Sequence, residues 1–175
     1  MIQFTSLGPD SCKITGGEKP VIVFPEAAKA DQNMITLLPV PEESTTVGAL
    51  SWPGEYNEAG ISIRGIGHAE GQQVSYVLEM DGVRIGVLSS PLKDWSDKQV
   101  EGAPNIDVLV IPAGDPKVVQ KLVDEFDPRV LILLPGTDKN ALAAVEKGIG
   151  VKERVGEYKL KGSLPAEGRE VIVLA

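Results

Sequence analysis

Few side chains in this sequence can carry acid–base, nucleophilic or metal chemistry. His68 is its one histidine and Cys12 its one cysteine. Imidazole is the commonest metal ligand and the usual proton carrier near neutral pH, so a single copy narrows the options sharply. His68 stands in Gly67-His68-Ala69-Glu70, and no residue in the sequence is marked to orient it as a base, so an ordinary surface or hydrogen-bonded loop histidine is expected. Carboxylates are the remaining ligands. A site drawn from His68, Glu42, Glu43, Glu70, Asp94 and Asp138 would be oxygen-rich, better suited to Mg²⁺ or Ca²⁺ than to zinc. Nothing in their spacing fixes a mutual geometry, and solvated loop carboxylates are the simpler expectation. Cys12 falls on a predicted strand, where a free cysteine is usually a small buried hydrophobe. Ser89-Ser90 lacks the G-x-S-x-G elbow of a serine hydrolase. Gly65 and Gly67 are followed by no helix N-terminus and so form no phosphate loop. Trp52-Pro53-Gly54-Glu55-Tyr56 reads as a tight turn whose aromatics cap the core, with a recognition loop as the second reading.

The elements that must position these groups centre on residues 51–90. Ile61, Ile63 and Ile66 keep nearly a two-residue period, as in a strand with one buried face. Residues 74–80 form a second strand. Asp81-Gly82 then makes a hairpin turn, because both central residues of a type I′ turn need positive φ. Residues 83–88 return as a third strand. Upstream, the pattern predicts an edge strand over 2–6, strands over 11–15, 21–24 and 34–38, and a short one within 45–50, joined by a polar connection over 26–33. Residues 39–44 are a loop, since Pro39 and Pro41 exclude regular pairing.

Downstream the period changes. Residues 91–102 are polar with a weak helical pattern. The apolar run 106–111 reads as an interior strand covered on both faces. Asp115-Pro116 starts a helix with Val118, Val119, Leu122, Val123 and Phe126 on one face, ended by Pro128. Residues 130–134 are another buried strand. Thr137 or Asp138 caps a last helix that points Leu142 and Val145 inward and stops at Gly148. Residues 158–160 and 171–174 are late strands. The first half therefore reads as antiparallel β and the second as alternating β and α, in one domain spanning residues 1–175.

Composition excludes several partners. The chain has 175 residues and a net charge of −8 with no Lys/Arg run, which argues against nucleic acid or an anionic membrane as the main partner. One cysteine forms no internal disulfide, and residues 1–5 carry neither a basic nor an apolar leader segment. No apolar run approaches about 18 residues, so no membrane span is read. The expected location is the cytoplasm.

The order of the pieces resembles the metallo-β-lactamase fold, in particular the small bacterial ascorbate-lactonase-like branch of metal-dependent hydrolases. Leu7-Gly8-Pro9-Asp10-Ser11-Cys12-Lys13-Ile14 is similar to that branch's L-G-x-S-C-F-x-I opening. Trp52-Pro53-Gly54-Glu55-Tyr56 followed by Gly60-Ile61-Ser62-Ile63-Arg64-Gly65-Ile66 looks like its G-P-G-E-Y and following strand. Tyr76-Val77-Leu78-Glu79-Met80-Asp81-Gly82-Val83-Arg84 matches its central hairpin. Ile106-Asp107-Val108-Leu109-Val110-Ile111-Pro112 and Lys159-Leu160-Lys161-Gly162-Ser163-Leu164-Pro165 resemble a later strand and the tail. The resemblance covers nearly the whole chain and implies a single-domain α/β fold, a four-layer αββα sandwich.

The resemblance also implies a site that this sequence does not keep. The family holds one or two metals, typically zinc, with H-x-H-x-D-H after a strand and further ligands on later loops. The matching loop here is Pro39-Val40-Pro41-Glu42-Glu43-Ser44. Pro39, Pro41 and Ser44 replace its histidines and Glu43 its aspartate. Ser90 or Ser89 takes the place of a later metal aspartate, and Thr137 that of the last histidine. His68 falls near the position of another. A proline side chain cannot donate to a metal, so the metal site reads as deleted. The expectation is a non-catalytic binding or assembly module with no cofactor and with a protein or small molecule as partner; self-association through a sheet edge stays open. The alternative is a divergent hydrolase with a site rebuilt from His68, Glu43 and Glu70, and only that reading calls for zinc.

Overall fold

The computed structural model describes residues 1–175. Five strands come first: β1 (Ile2–Gly8), β2 (Ser11–Thr15), β3 (Val21–Val23), β4 (Ile35–Leu37) and β5 (Ala49–Leu50). A meander follows: β6 (Gly54–Glu58), β7 (Ile61–His68), β8 (Gln73–Met80) and β9 (Val83–Val87). The chain then alternates through α1 (Asp97–Glu101), β10 (Val108–Pro112), α2 (Pro116–Phe126), β11 (Val130–Leu134) and α3 (Lys139–Gly148). It closes with β12 (Glu153–Val155), β13 (Glu157–Leu160) and β14 (Glu170–Leu174). These make two sheets, ordered β13-β1-β2-β3-β4-β5 and β12-β14-β11-β10-β9-β8-β7-β6.

Alternation along the strands builds the core between the sheets. Ile2 and Phe4 of β1, Ile14 of β2, Val21 and Val23 of β3, and Ile35 and Leu37 of β4 face Val74, Tyr76 and Leu78 of β8 and Val108 and Val110 of β10. The central strands β10 and β11 are buried along their whole length because helices cover their other face. Leu109, Ile111, Leu131 and Leu133 meet Val119, Leu122, Val123 and Phe126 of α2 and Leu142 and Val145 of α3 there. No helix is long and apolar enough to cross a membrane.

The Asp81-Gly82 turn forms as expected, with φ of 51° and 73°. Asp115 caps α2 by accepting from the main-chain N–H groups of Lys117 (2.8 Å) and Val118 (3.3 Å). Asp115→Ala should therefore cost about 1 kcal/mol, read as a lower thermal midpoint with an unchanged folded spectrum. For α3 the cap is Asp138 rather than Thr137, and Gly148 is its last helical residue instead of a left-handed stop.

Several expectations are corrected. β1 is interior, because β13 pairs on its outer side and occupies the edge. The first sheet is mixed, since β3–β4 and β4–β5 run parallel. The parallel turn-back uses the irregular 24–34 connection, which crosses the outer face of that sheet. Gly48 (φ +80°) holds this connection close, as a Cβ there would lie 2.1 Å from the Asp31 carbonyl oxygen. The Trp52–Tyr56 stretch leads into edge strand β6 instead of forming a simple turn, and Trp52 is 54 % exposed, so it does not cap the core; Tyr56 does pack against it. The 45–50 strand shrinks to two residues, and β12 carries too little pattern to be read.

Candidate functional site

Several of the positions that the sequence resemblance matches to metal ligands lie in loops at one edge of the sandwich. β9, β10 and β11 are parallel and end together, leading into residues 88–92, 113–115 and 135–138. β1, β3 and β4 of the other sheet also end at this edge, as the Gly136 N–H donating to the Pro9 carbonyl (2.9 Å) records. Clefts outside the carboxyl ends of parallel strands are where open α/β sheets bind ligands.

Main-chain and side-chain hydrogen bonds stitch this edge together. The β8–β9 ladder ends at Tyr76–Val87. The Val74 N–H, two residues before Tyr76 on β8, donates instead to the Pro39 carbonyl of the loop after β4 at 2.8 Å. The buried Tyr76 hydroxyl lies 2.7 Å from the Leu38 carbonyl and 2.9 Å from that of Leu50. The loop that begins at Pro39 is thus pinned against the second sheet through its carbonyls, and its proline rings offer no donor atom.

Beside it lies a polar cluster that sequence reasoning missed. Gln73, Ser75 and Ser89 are 8 %, 1 % and 1 % exposed. The Gln73 Nε2 lies within hydrogen-bond reach of the Ser89 carbonyl (3.2 Å), the Ser89 hydroxyl (2.9 Å) and the Pro91 carbonyl (3.0 Å). Two of these are carbonyls, so the amide nitrogen must face them. The Ser89 N–H donates to the Ser75 hydroxyl at 3.0 Å, and the two hydroxyls are 3.2 Å apart. Ser89 is spent on this network, whereas Ser90 is exposed. The alternation of Gln73 and Ser75 on one face of β8 was the available signal, but a solvated face has the same pattern.

The candidate carboxylates do not converge, and no group of three His, Cys, Asp or Glu side chains is placed to hold a metal ion. Glu42 accepts from the Thr46 N–H and hydroxyl. Asp138 caps α3, and Asp94 pairs with Lys121 at 3.3 Å. Glu43, Glu70, Ser44 and Thr137 are exposed. The residues present therefore do not fit the family's metal. Cys12 is fully buried, and burial pushes its thiol up to about 12, which removes it as a nucleophile.

His68 departs furthest from expectation. It ends strand β7 instead of sitting in a loop, and it is 4 % exposed. Its ring packs 4.5 Å from that of Trp95, which meets Phe126 edge-on at 5.2 Å. Neither ring nitrogen has a hydrogen-bond partner, and no other buried side-chain N or O in the protein shares that condition. Burial pushes its pKa below the ordinary histidine value, opposed in part by Gln99. That amide donates to the Gly67 carbonyl and accepts from the Ser96 N–H beside the ring. His68 is thus a buried imidazole packed against Trp95 with neither ring nitrogen hydrogen-bonded.

No protein-family profile matches the sequence, and no curated protein does. Solved structures match over nearly the full chain. A Thermotoga maritima protein described as a Zn-dependent hydrolase of the metallo-β-lactamase superfamily aligns with a TM-score of 0.81 at 21 % identity, covering 99 % of this chain and 98 % of its own. A Parabacteroides distasonis protein described as a metal-dependent hydrolase gives 0.66 at 14 %, covering 98 % and 92 %. YhfI of Bacillus subtilis, a metallo-β-lactamase fold protein, gives 0.64 at 7 %, covering 98 % and 96 %. The chain has the metallo-β-lactamase fold.

Proposed function

We propose that this chain uses the metallo-β-lactamase scaffold as a non-catalytic binding or assembly module, working in the cytoplasm on a protein or small-molecule partner. One observation carries the reading. The loop that would supply the first ligands presents Pro39 and Pro41, and its backbone is bonded to β8 rather than open to an ion. The Gln73–Ser75–Ser89 network supports it, because a hydrogen-bonded cluster cannot take up metal without giving up its own bonds.

The test is metal content by elemental mass spectrometry on untagged protein against a chelator-treated control, with turnover assays on lactone and phosphoester substrates. Far less than one equivalent of any transition metal, and no turnover, is the expected result. One or two equivalents together with turnover would sink the reading.

A further inference from the structure

A cavity of ≈ 880 Å³ opens on the outer face of the first sheet, beneath the 24–34 connection. It reaches the edge described above at Pro9, Asp10 and Thr137, but of the positions matched to metal ligands only Thr137 lines it. Its size falls within the range of small-molecule sites. Ile22 and Thr36 form the sheet side, where alternation turns them away from the core that Val21, Val23, Ile35 and Leu37 enter. Leu7 stands at the mouth, 49 % exposed, and Met34 lines the connection. Phe24 turns the chain into the cavity wall with φ of 49°, a left-handed conformation that costs a bulky residue energy and that concentrates at binding sites.

The charges in this cavity are one-sided. Asp10, Glu26 and Asp31 line it against Lys29 alone. Asp31 is used by its own turn, accepting from the Asn33 N–H at 2.8 Å. Asp10 has no ion pair, and its carboxyl faces the Gly136 turn, within 3.7 Å of where a Cβ on that glycine would lie. Burial raises its pKa, the mark of a carboxylate that has lost water without gaining a cation. A second hollow of ≈ 540 Å³ near β12 and β13 is not one-sided in charge, because Lys152, Lys159 and Lys161 line it with Glu153, Glu157 and Glu170.

We infer that the cavity under the 24–34 connection binds a small organic cation, an ammonium group on an apolar body, with Asp10 as its counter-ion. This names the ligand class of the binding module proposed above and rests on that reading. The apolar body would cover Ile22, Met34 and Leu7, and the ammonium would donate to the Asp10 carboxylate.

The test titrates the full chain with phenethylamine, 2-phenylethanol and phenylacetate, following backbone amides by NMR, with metal content measured on the same sample. Phenethylamine should bind saturably and shift resonances of Leu7, Ile22 and Thr36, more weakly as salt rises. Asp10→Asn should weaken it at least tenfold while the spectrum away from the cavity stays unchanged, and Lys29→Ala should not weaken it. Ile22→Phe, which fills the cavity without touching charge, should weaken all three probes and decides the matter if Asp10→Asn unfolds. Equal binding of phenylacetate or the alcohol, unchanged binding by Asp10→Asn, shifts elsewhere, or no saturable amine binding would each overturn the inference. Bound transition metal with turnover would instead overturn the non-catalytic reading and leave Asp10-dependent amine binding standing.

Discussion

Gln73→Leu should lower stability by about 3 kcal/mol and the thermal midpoint by roughly 10 °C. Leucine has nearly the volume of glutamine, so the effect is not a cavity. The Ser89 carbonyl and hydroxyl lose the Gln73 amide where water does not readily replace it, and the Pro91 carbonyl loses it nearer the surface. Leaving buried acceptors unpaired costs their full desolvation, about 1–3 kcal/mol each. The loss should be local at first. Residues 89–91 and the Trp95 lid beyond them depend on this amide, so their amide hydrogens should exchange faster while β10 and β11 stay protected. Ser89→Ala in the Gln73→Leu background should add less than it costs alone, since the two share one network. Urea unfolding of the four proteins of this cycle measures that coupling. A Gln73→Leu protein as stable as the parent would mean that the network does not hold the edge closed.

The fold was legible where local chemistry and periodicity agree. Asp81-Gly82 supports positive φ at two adjacent positions, and Asp115-Pro116 supplies both a cap and a pre-set φ, so each forms as written. Residues 130–134 form a buried strand because five apolar residues cannot be solvated on either face. Long-range pairing was not legible. Whether β1 is an edge depends on β13, at the far end of the chain. The parallel β3–β4 pair was hidden because its crossover contains no helix to announce it. That Pro39 and Pro41 carry no donor atom was readable, because side-chain chemistry needs no coordinates. The polar cluster beside them was not. Gln73 and Ser75 resemble any polar strand face until β9 departs at Val87 and the 89–91 segment folds over them.

His68→Phe should stabilise the protein by about 1–2 kcal/mol at pH 7, the reverse of what a functional histidine would show, because two desolvated nitrogens without partners are removed. Phenylalanine keeps an aromatic ring against Trp95. The gain should grow with acidity, and the sign follows from the direction of the shift. The folded pKa of His68 is held below 6.5 by burial. Above pH 6.5 the ring is neutral in folded and unfolded chains and contributes no pH dependence. As pH falls through 6.5 the unfolded chain takes up the proton first, so stability is lost from there down to the folded pKa. The slope reaches at most about 1.4 kcal/mol per pH unit for one proton. The phenylalanine variant, with nothing to protonate at that position, would carry no such limb. Glu170, held below the usual carboxylate range by Lys152 and Tyr158, loses its contribution only as pH falls below 4.5, in a separate window that both proteins share. Urea midpoints of parent and His68→Phe between pH 8 and pH 5 should therefore diverge below pH 6.5 and run parallel above it. Parallel curves throughout would show that the ring nitrogens find a partner in solution. A variant less stable than the parent at pH 7 would show that His68 holds something this fold requires, and the divergent-site reading would return with His68 at its centre.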